Sequence, residues 1–145
     1  MSGKTFVDSN VLIYAHDVDE PVKRETANRI LQELWSDRAG AVSPQVLQEF
    51  YVNATRKIAS PLPRKSARLV VDAYAPWCVE TSAAELIAAF RIEYEARIGF
   101  WDALIISAAI KAGADRVLSE DLNPGQRIAG IRIENPFKSP MSRVH

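Results

Sequence analysis

The run Thr5-Phe6-Val7-Asp8-Ser9-Asn10-Val11-Leu12-Ile13-Tyr14 sets a short apolar segment, ended by an acid, directly before a second apolar stretch. The first segment is β-like, and Asp8 stands where a strand would hand over to a helix. An acid in so apolar a setting costs free energy unless it is paired or bound to a metal. Further along, short β-like runs alternate with longer helical patterns, which predicts an α/β chain with a mainly parallel sheet covered by helices.

After Thr5–Val7, apolar residues Ala27, Ile30, Leu31, Leu34 and Trp35 recur at helical spacing between about Pro21 and Asp37. Gly40-Ala41-Val42 reads as a second strand. Ser43 and Pro44 form a favourable helix start, N-cap then first turn, for a helix with Val46, Phe50, Ala54 and Ile58 inward. Ser60-Pro61-Leu62-Pro63 breaks the chain, and a helix with Ala67, Val70, Val71 and Tyr74 follows. Trp77-Cys78-Val79 reads as a third strand, and Ser82-Ala83-Ala84-Glu85 as a capping box opening the next helix. Beyond Gly99 a helix apolar on most sides runs to Gly113 and is expected to be central and buried. Val117-Leu118 reads as a fourth strand, and the alternating Ile131-Arg132-Ile133-Glu134 as a half-exposed edge strand. The tail after about 136 is expected to be irregular.

Length and composition suit one domain over residues 1–145, and 48% apolar residues suffice for a core. No apolar run reaches the roughly 18 residues of a membrane span. The start of the chain lacks a signal peptide's apolar region, and its single cysteine, Cys78, excludes an internal disulfide framework, so a cytoplasmic location is expected. Cys78 is expected to pack as a small apolar residue. The 18 basic and 18 acidic residues argue against a uniformly basic nucleic-acid-binding surface. The segment between Phe50 and Val71 nevertheless carries Arg56, Lys57, Arg64, Lys65 and Arg68 and no acid. It reads either as a phosphate-facing patch or as a solvated surface.

Three more acids share the apolar surroundings of Asp8: Glu49 in Val46-Leu47-Gln48-Glu49-Phe50-Tyr51, Asp102 in Phe100-Trp101-Asp102-Ala103-Leu104-Ile105, and Asp121 after Arg116–Ser119. Each has a structural reading. Asp8 can cap the helix after it, Asp102 can be a first-turn acid, Glu49 a helix-flank acid, and Asp121 part of a turn with Asn123, Pro124 and Gly125. Jointly they converge on the carboxyl end of a parallel sheet, where α/β proteins place their sites. Four carboxylates there imply a hard cation, Mg²⁺ or Mn²⁺, and phosphodiester hydrolysis.

Phe6–Tyr14 resembles the opening motif of PIN domains. Val46–Tyr51, Trp101–Ile105 and Leu118-Ser119-Glu120-Asp121-Leu122 resemble that family's further acidic motifs, in order and across nearly the whole chain. Within the family the chain is most similar to small VapC-type toxins. The resemblance implies a three-layer α/β/α fold with a sheet of about five strands and a metal-dependent ribonuclease. It also implies a small antitoxin partner and a homodimer. By position, Asp8 and Asp102 would be the principal metal ligands, with Glu49 and Asp121 completing the pocket directly or through water. Ser9, Asn10 and Ser119 match supporting polar positions.

Glu120 is expected to point away from the site, His16 to be structural, and Asp17, Asp19 and Glu20 to be solvated. Trp101 and Tyr51 can stack on RNA bases or pack in the core, the core being the expectation for both. Two other functions fit a cluster of acids: a phosphatase of the haloacid dehalogenase type, and a module that binds RNA or protein without catalysis. The phosphatase chemistry resembles Asp-x-Asp, against which Asp8-Ser9-Asn10 stands.

Overall fold

In a computed structural model, which describes residues 3–138, the opening strand β1 (Lys4–Val7) lies between two parallel neighbours, β2 (Gly40–Ala41) and β3 (Ala114–Leu118). β3 pairs in parallel with β5 (Ile131–Glu134), and β4 (Arg127–Ile128) pairs antiparallel on the outside. The order is β2-β1-β3-β5-β4. Phe6 and Val7 are adjacent and both fully buried. Successive strand side chains point to opposite faces, so helices cover β1 on both sides, as a three-layer α/β/α fold requires. From β1 the chain first builds outward to β2, then returns to build β3 on the other side. Such a reversal, at the carboxyl ends of β1 and β3, is where α/β folds place their ligand sites.

Among the described residues six α-helices surround the sheet: α1 (Ser9–Tyr14), α2 (Pro21–Asp37), α3 (Pro44–Arg56), α4 (Arg64–Tyr74), α5 (Ala83–Ala96) and α6 (Phe100–Lys111). The Ser43 hydroxyl accepts the Val46 N–H and starts α3, which buries Val46, Leu47, Phe50 and Ala54. Ser82 and Glu85 close the capping box of α5. α6 is buried at Ala103 and from Ile105 to Ala109, as its apolar circumference predicts. Its buried Ser107 is satisfied by donating to the Glu85 carbonyl at 2.8 Å, which ties α6 to α5.

Two strand assignments change. Trp77-Cys78-Val79 is not a strand. Ala75–Trp77 forms a 3₁₀ turn around Pro76, and Cys78 makes only an isolated parallel bridge to Val42. The indole of Trp77 lies against Gly40, where a Cβ would come within 2.4 Å of the ring. The Trp77 side chain thus occupies the flank of β2, and the backbone pairs there only once. Ile131–Glu134 is not an edge either, because β4 covers it. The hairpin between them turns on Ala129 and Gly130, both with positive φ (52° and 85°), the twist that a two-residue turn needs. The sequence offers Ala-Gly there, not the Asn-Gly that signals such a turn. Of the tail, Phe137 packs edge-on against Tyr14 at 4.9 Å, and residues 139–145 lie outside the described residues.

Candidate active site at the strand ends

Asp8 follows the last residue of β1, and its N–H donates to the Leu118 carbonyl at 3.0 Å, which pins it beside the end of β3. One carboxylate oxygen, Oδ1, accepts the Ser9 N–H at 2.7 Å, and the other, Oδ2, accepts the Ser119 hydroxyl at 2.7 Å. Asp8 is therefore the cap of α1 and a member of the cluster at once. Ser119 is completely buried and also accepts the Asp121 N–H at 3.1 Å. Asn10, in the first turn of α1, donates to Asp121 Oδ2 at 3.2 Å and accepts the Glu120 N–H at 3.2 Å. Glu49 reaches in from α3, accepting the Ser9 hydroxyl at 3.0 Å and the Gln45 amide at 3.2 Å. Asp102 lies half-buried in the first turn of α6.

Every partner of these carboxylates is neutral. Among the described residues, none of the four forms an ion pair. Burial raises the Asp8 carboxyl to about 6, against the pull of its hydrogen bonds from Ser119 and Ser9 and with further push from Glu49 and Asp121. Asp102 is raised by burial first, then by Asp121 and Glu49. The four acids thus sense one another electrostatically. Among the described residues, no three His, Cys, Asp or Glu side chains are gathered tightly enough to hold a metal ion by themselves. The donor set still suits a hard cation. Mg²⁺ keeps several waters and needs only one or two carboxylates directly, so a looser acidic pocket accommodates it.

Glu120, the residue between Ser119 and Asp121, points away as expected. It accepts the Tyr14 hydroxyl at 2.7 Å and pairs with Lys23 at 2.5 Å. His16 packs edge-on against Phe50 at 5.8 Å, and burial, then Arg24, pushes its imidazole toward the neutral form. Asp19 and Glu20 are exposed, but Asp17 is buried, contrary to expectation, and its carboxylate is satisfied by accepting the Asp19 N–H at 3.1 Å. Cys78 is half-buried, and burial raises its thiol, then Glu80.

Arg56, Lys57, Arg64, Lys65 and Arg68 are all exposed, at the end of α3 and the start of α4. Arg56 is seven residues beyond Glu49, about 10 Å along the helix axis. Arg68 lies 6.0 Å from the ring of half-buried Tyr51. Trp101 is a correction. It is 65% exposed, beside Asp102, where core packing was expected. Gln45, Tyr14 and Lys23 were not anticipated as parts of this region. Only Gln45 had a visible signal, its i−4 spacing from Glu49 on one helix face.

The family model of the PIN domain matches residues 5–130. Among solved structures, VapBC2 from Rickettsia felis, bound to a DNA fragment from its promoter, is similar over 90% of this chain and 97% of its own, at 20% identity and a TM-score of 0.65. DNA-bound VapBC from Salmonella typhimurium is similar over 92% and 98%, at 24% identity and a TM-score of 0.63. Mycobacterium tuberculosis VapC20, a toxin that cleaves the sarcin-ricin loop, is similar over 81% and 90%, at 18% identity and a TM-score of 0.58. At these identities the likeness is one of fold. A comparison with curated proteins finds no significant match.

Proposed function

The chain belongs to the PIN domain family, and from that premise we propose that it is a divalent-metal-dependent endoribonuclease, the toxin of a VapBC-type pair. The observation that carries this reading is the set of four carboxylates at one strand end, three of them held by neutral donors and none in an ion pair among the described residues, with burial and mutual repulsion raising Asp8 and Asp102. Such an arrangement costs stability unless a cation enters. Asp8 and Asp102 are the principal ligands in this reading, and Glu49 and Asp121 complete the pocket directly or through water. Bound there, Mg²⁺ or Mn²⁺ would polarise a phosphodiester, lower the pKa of a water and neutralise the leaving oxygen.

The chain's own residues do the remaining work. Ser119 and the Ser9 N–H orient the Asp8 carboxylate, so that neither oxygen is free to turn away from the cleft. Ser9 and Gln45 hold Glu49, and Asn10 holds Asp121. Near pH 7 Asp8 is ionised despite its raised pKa, so the pocket is negative when a cation arrives. Arg56, Lys57, Arg64, Lys65 and Arg68 are proposed to meet RNA phosphates.

That the R. felis and S. typhimurium structures are VapBC complexes supports a small antitoxin partner for this chain. A single domain, a homodimer and a cytoplasmic location complete the reading; no helix among the described residues is long and apolar enough to cross a membrane. The test is cleavage of RNA by the purified protein with Mg²⁺ or Mn²⁺, abolished by EDTA and by Asp102→Asn. Cleavage that persists undiminished in Asp102→Asn would overturn the assignment. Turnover of a small phosphomonoester without action on RNA would favour the phosphatase class instead.

A further inference from the structure

We propose that Trp101 is a substrate-binding residue, a fixed aromatic platform at the rim of the acid cleft on which an unpaired RNA base stacks beside the phosphate to be cut. The inference rests on the ribonuclease reading and adds to it a residue that binds the substrate, outside the acidic cluster. The carrying observation is an exposed indole in a held position. Trp101 is 65% exposed, yet its ring meets Phe100 edge-on at 5.2 Å, and Phe100 stacks on Phe90 of α5 at 5.7 Å. The backbone is tied to the cleft as well, since the Trp101 carbonyl accepts from the Gln45 amide at 3.5 Å and the same amide donates to Glu49.

The other two tryptophans behave differently. Trp77 is buried, and Trp35 packs on both Tyr74 and Trp77. Only Trp101 leaves most of its surface in water beside an acid of the cluster. A large aromatic left in solvent gives up the stabilisation that burial would bring, and such a departure from good packing is expected where a ligand covers the ring. Stacking suits bases because every base has a π face, and it requires the base to be out of a duplex. Phe100, half-buried, backs one edge of the indole and is itself stacked on Phe90, so part of the ordering that binding needs is already in place.

Binding and cleavage are measured separately. In the Asp8→Asn background, which holds RNA uncut, a short unstructured RNA oligonucleotide is titrated against Trp101, Trp101→Phe and Trp101→Ala proteins, with fluorescence anisotropy and tryptophan emission as readouts. The expected result is emission quenching that depends on Trp101, affinity at least about tenfold weaker in Trp101→Ala, and most of it restored in Trp101→Phe. The same sequence annealed as a duplex should show no such dependence. In otherwise wild-type protein, Trp101→Ala should raise KM for RNA while kcat and the response of Tm to Mn²⁺ stay near wild type. Equal affinity and KM in the alanine variant overturn the platform and leave the nuclease reading standing. Oligonucleotide binding through Trp101 by a wild-type protein that cuts no RNA does the reverse. Trp101 emission that follows protein concentration and ignores RNA also overturns the proposal, because the ring would then be covered by a second copy of the chain.

Discussion

Asp8 and Glu134 sit on either side of β3, one just past the end of β1 and the other at the end of β5, and the chain treats them oppositely. Glu134 takes Arg116 at 2.7 Å and Arg132 at 2.6 Å. Burial acts to raise its carboxyl, but the two arginines outweigh burial and hold it below the usual range. Asp8 is more deeply buried, receives only a hydroxyl and an N–H, and is raised to about 6. The same contrast recurs between neighbours, since Glu120 has Lys23 while Asp121 has only Asn10. Basic residues were within reach of the fold, and the fold spent them away from the cleft. Glu134 and Glu120 are compensated by basic side chains, whereas Asp8 and Asp121 are left to neutral donors, as the proposed cation site would require.

Breaking that contrast is expected to hit cleavage hardest. Asp8→Asn and Asp102→Asn should each reduce metal-dependent RNA cleavage about 100-fold or more, beyond the range for outer partners of a metal. Glu134→Gln should leave kcat near wild type. Equal losses at Asp8 and Glu134, in a gel assay of RNA cleavage, would erase the distinction. Ser119→Ala is the next step down, at about 10- to 100-fold in activity or Mn²⁺ affinity, because it frees one Asp8 oxygen without removing charge.

Stability should move the other way. The folded protein holds a proton on Asp8 up to about pH 6, whereas the unfolded chain releases it near 3.8. Ionised Asp8 therefore opposes folding above that window. Without metal, the Asp8 contribution should make the protein more stable as pH falls from 7 towards 5, and Asp8→Asn should flatten that slope. At pH 7 in EDTA, the same variant should gain up to about 3 kcal/mol in a urea melt. Mn²⁺ should stabilise the wild type and not this variant. Glu134→Gln, by contrast, should cost about 1 kcal/mol. Lys23→Ala is expected to be smallest, a loss below about 1 kcal/mol with a slight fall in kcat, since Lys23 and Glu120 are partly exposed.

How far this was legible in the sequence depends on distance along the chain. Helices α2, α3, α5 and α6 follow from local spacing and caps, and the Ser43 and Ser82 caps stand where the residues place them. Five strands are expected and five occur among the described residues, yet one member differs. Trp77–Val79 has the β-like residues but meets Gly40 through a bulky ring, while Arg127–Ile128 is too short to announce itself. Asp17 and Trp101 were misjudged for a related reason. Burial of a single side chain is set by what lies opposite, which for Trp101 is solvent and for Asp17 is the body of the fold.

The four acids stand apart from ordinary surface chemistry already in the sequence, because an acid inside an apolar or helical pattern is conspicuous without any coordinates. The sequence by itself also determined the order of strand, acid and helix at Asp8, since capping and periodicity are local. Which carboxylates meet a basic side chain depends instead on contacts between distant parts of the chain. Lys23 and Glu120 are 97 residues apart, and Ser119 and Asp8 are 111 apart. No local rule pairs residues across such separations. The parallel register of β1 and β3 sets Asp8 beside Ser119, and the packing of α2 brings Lys23 to Glu120.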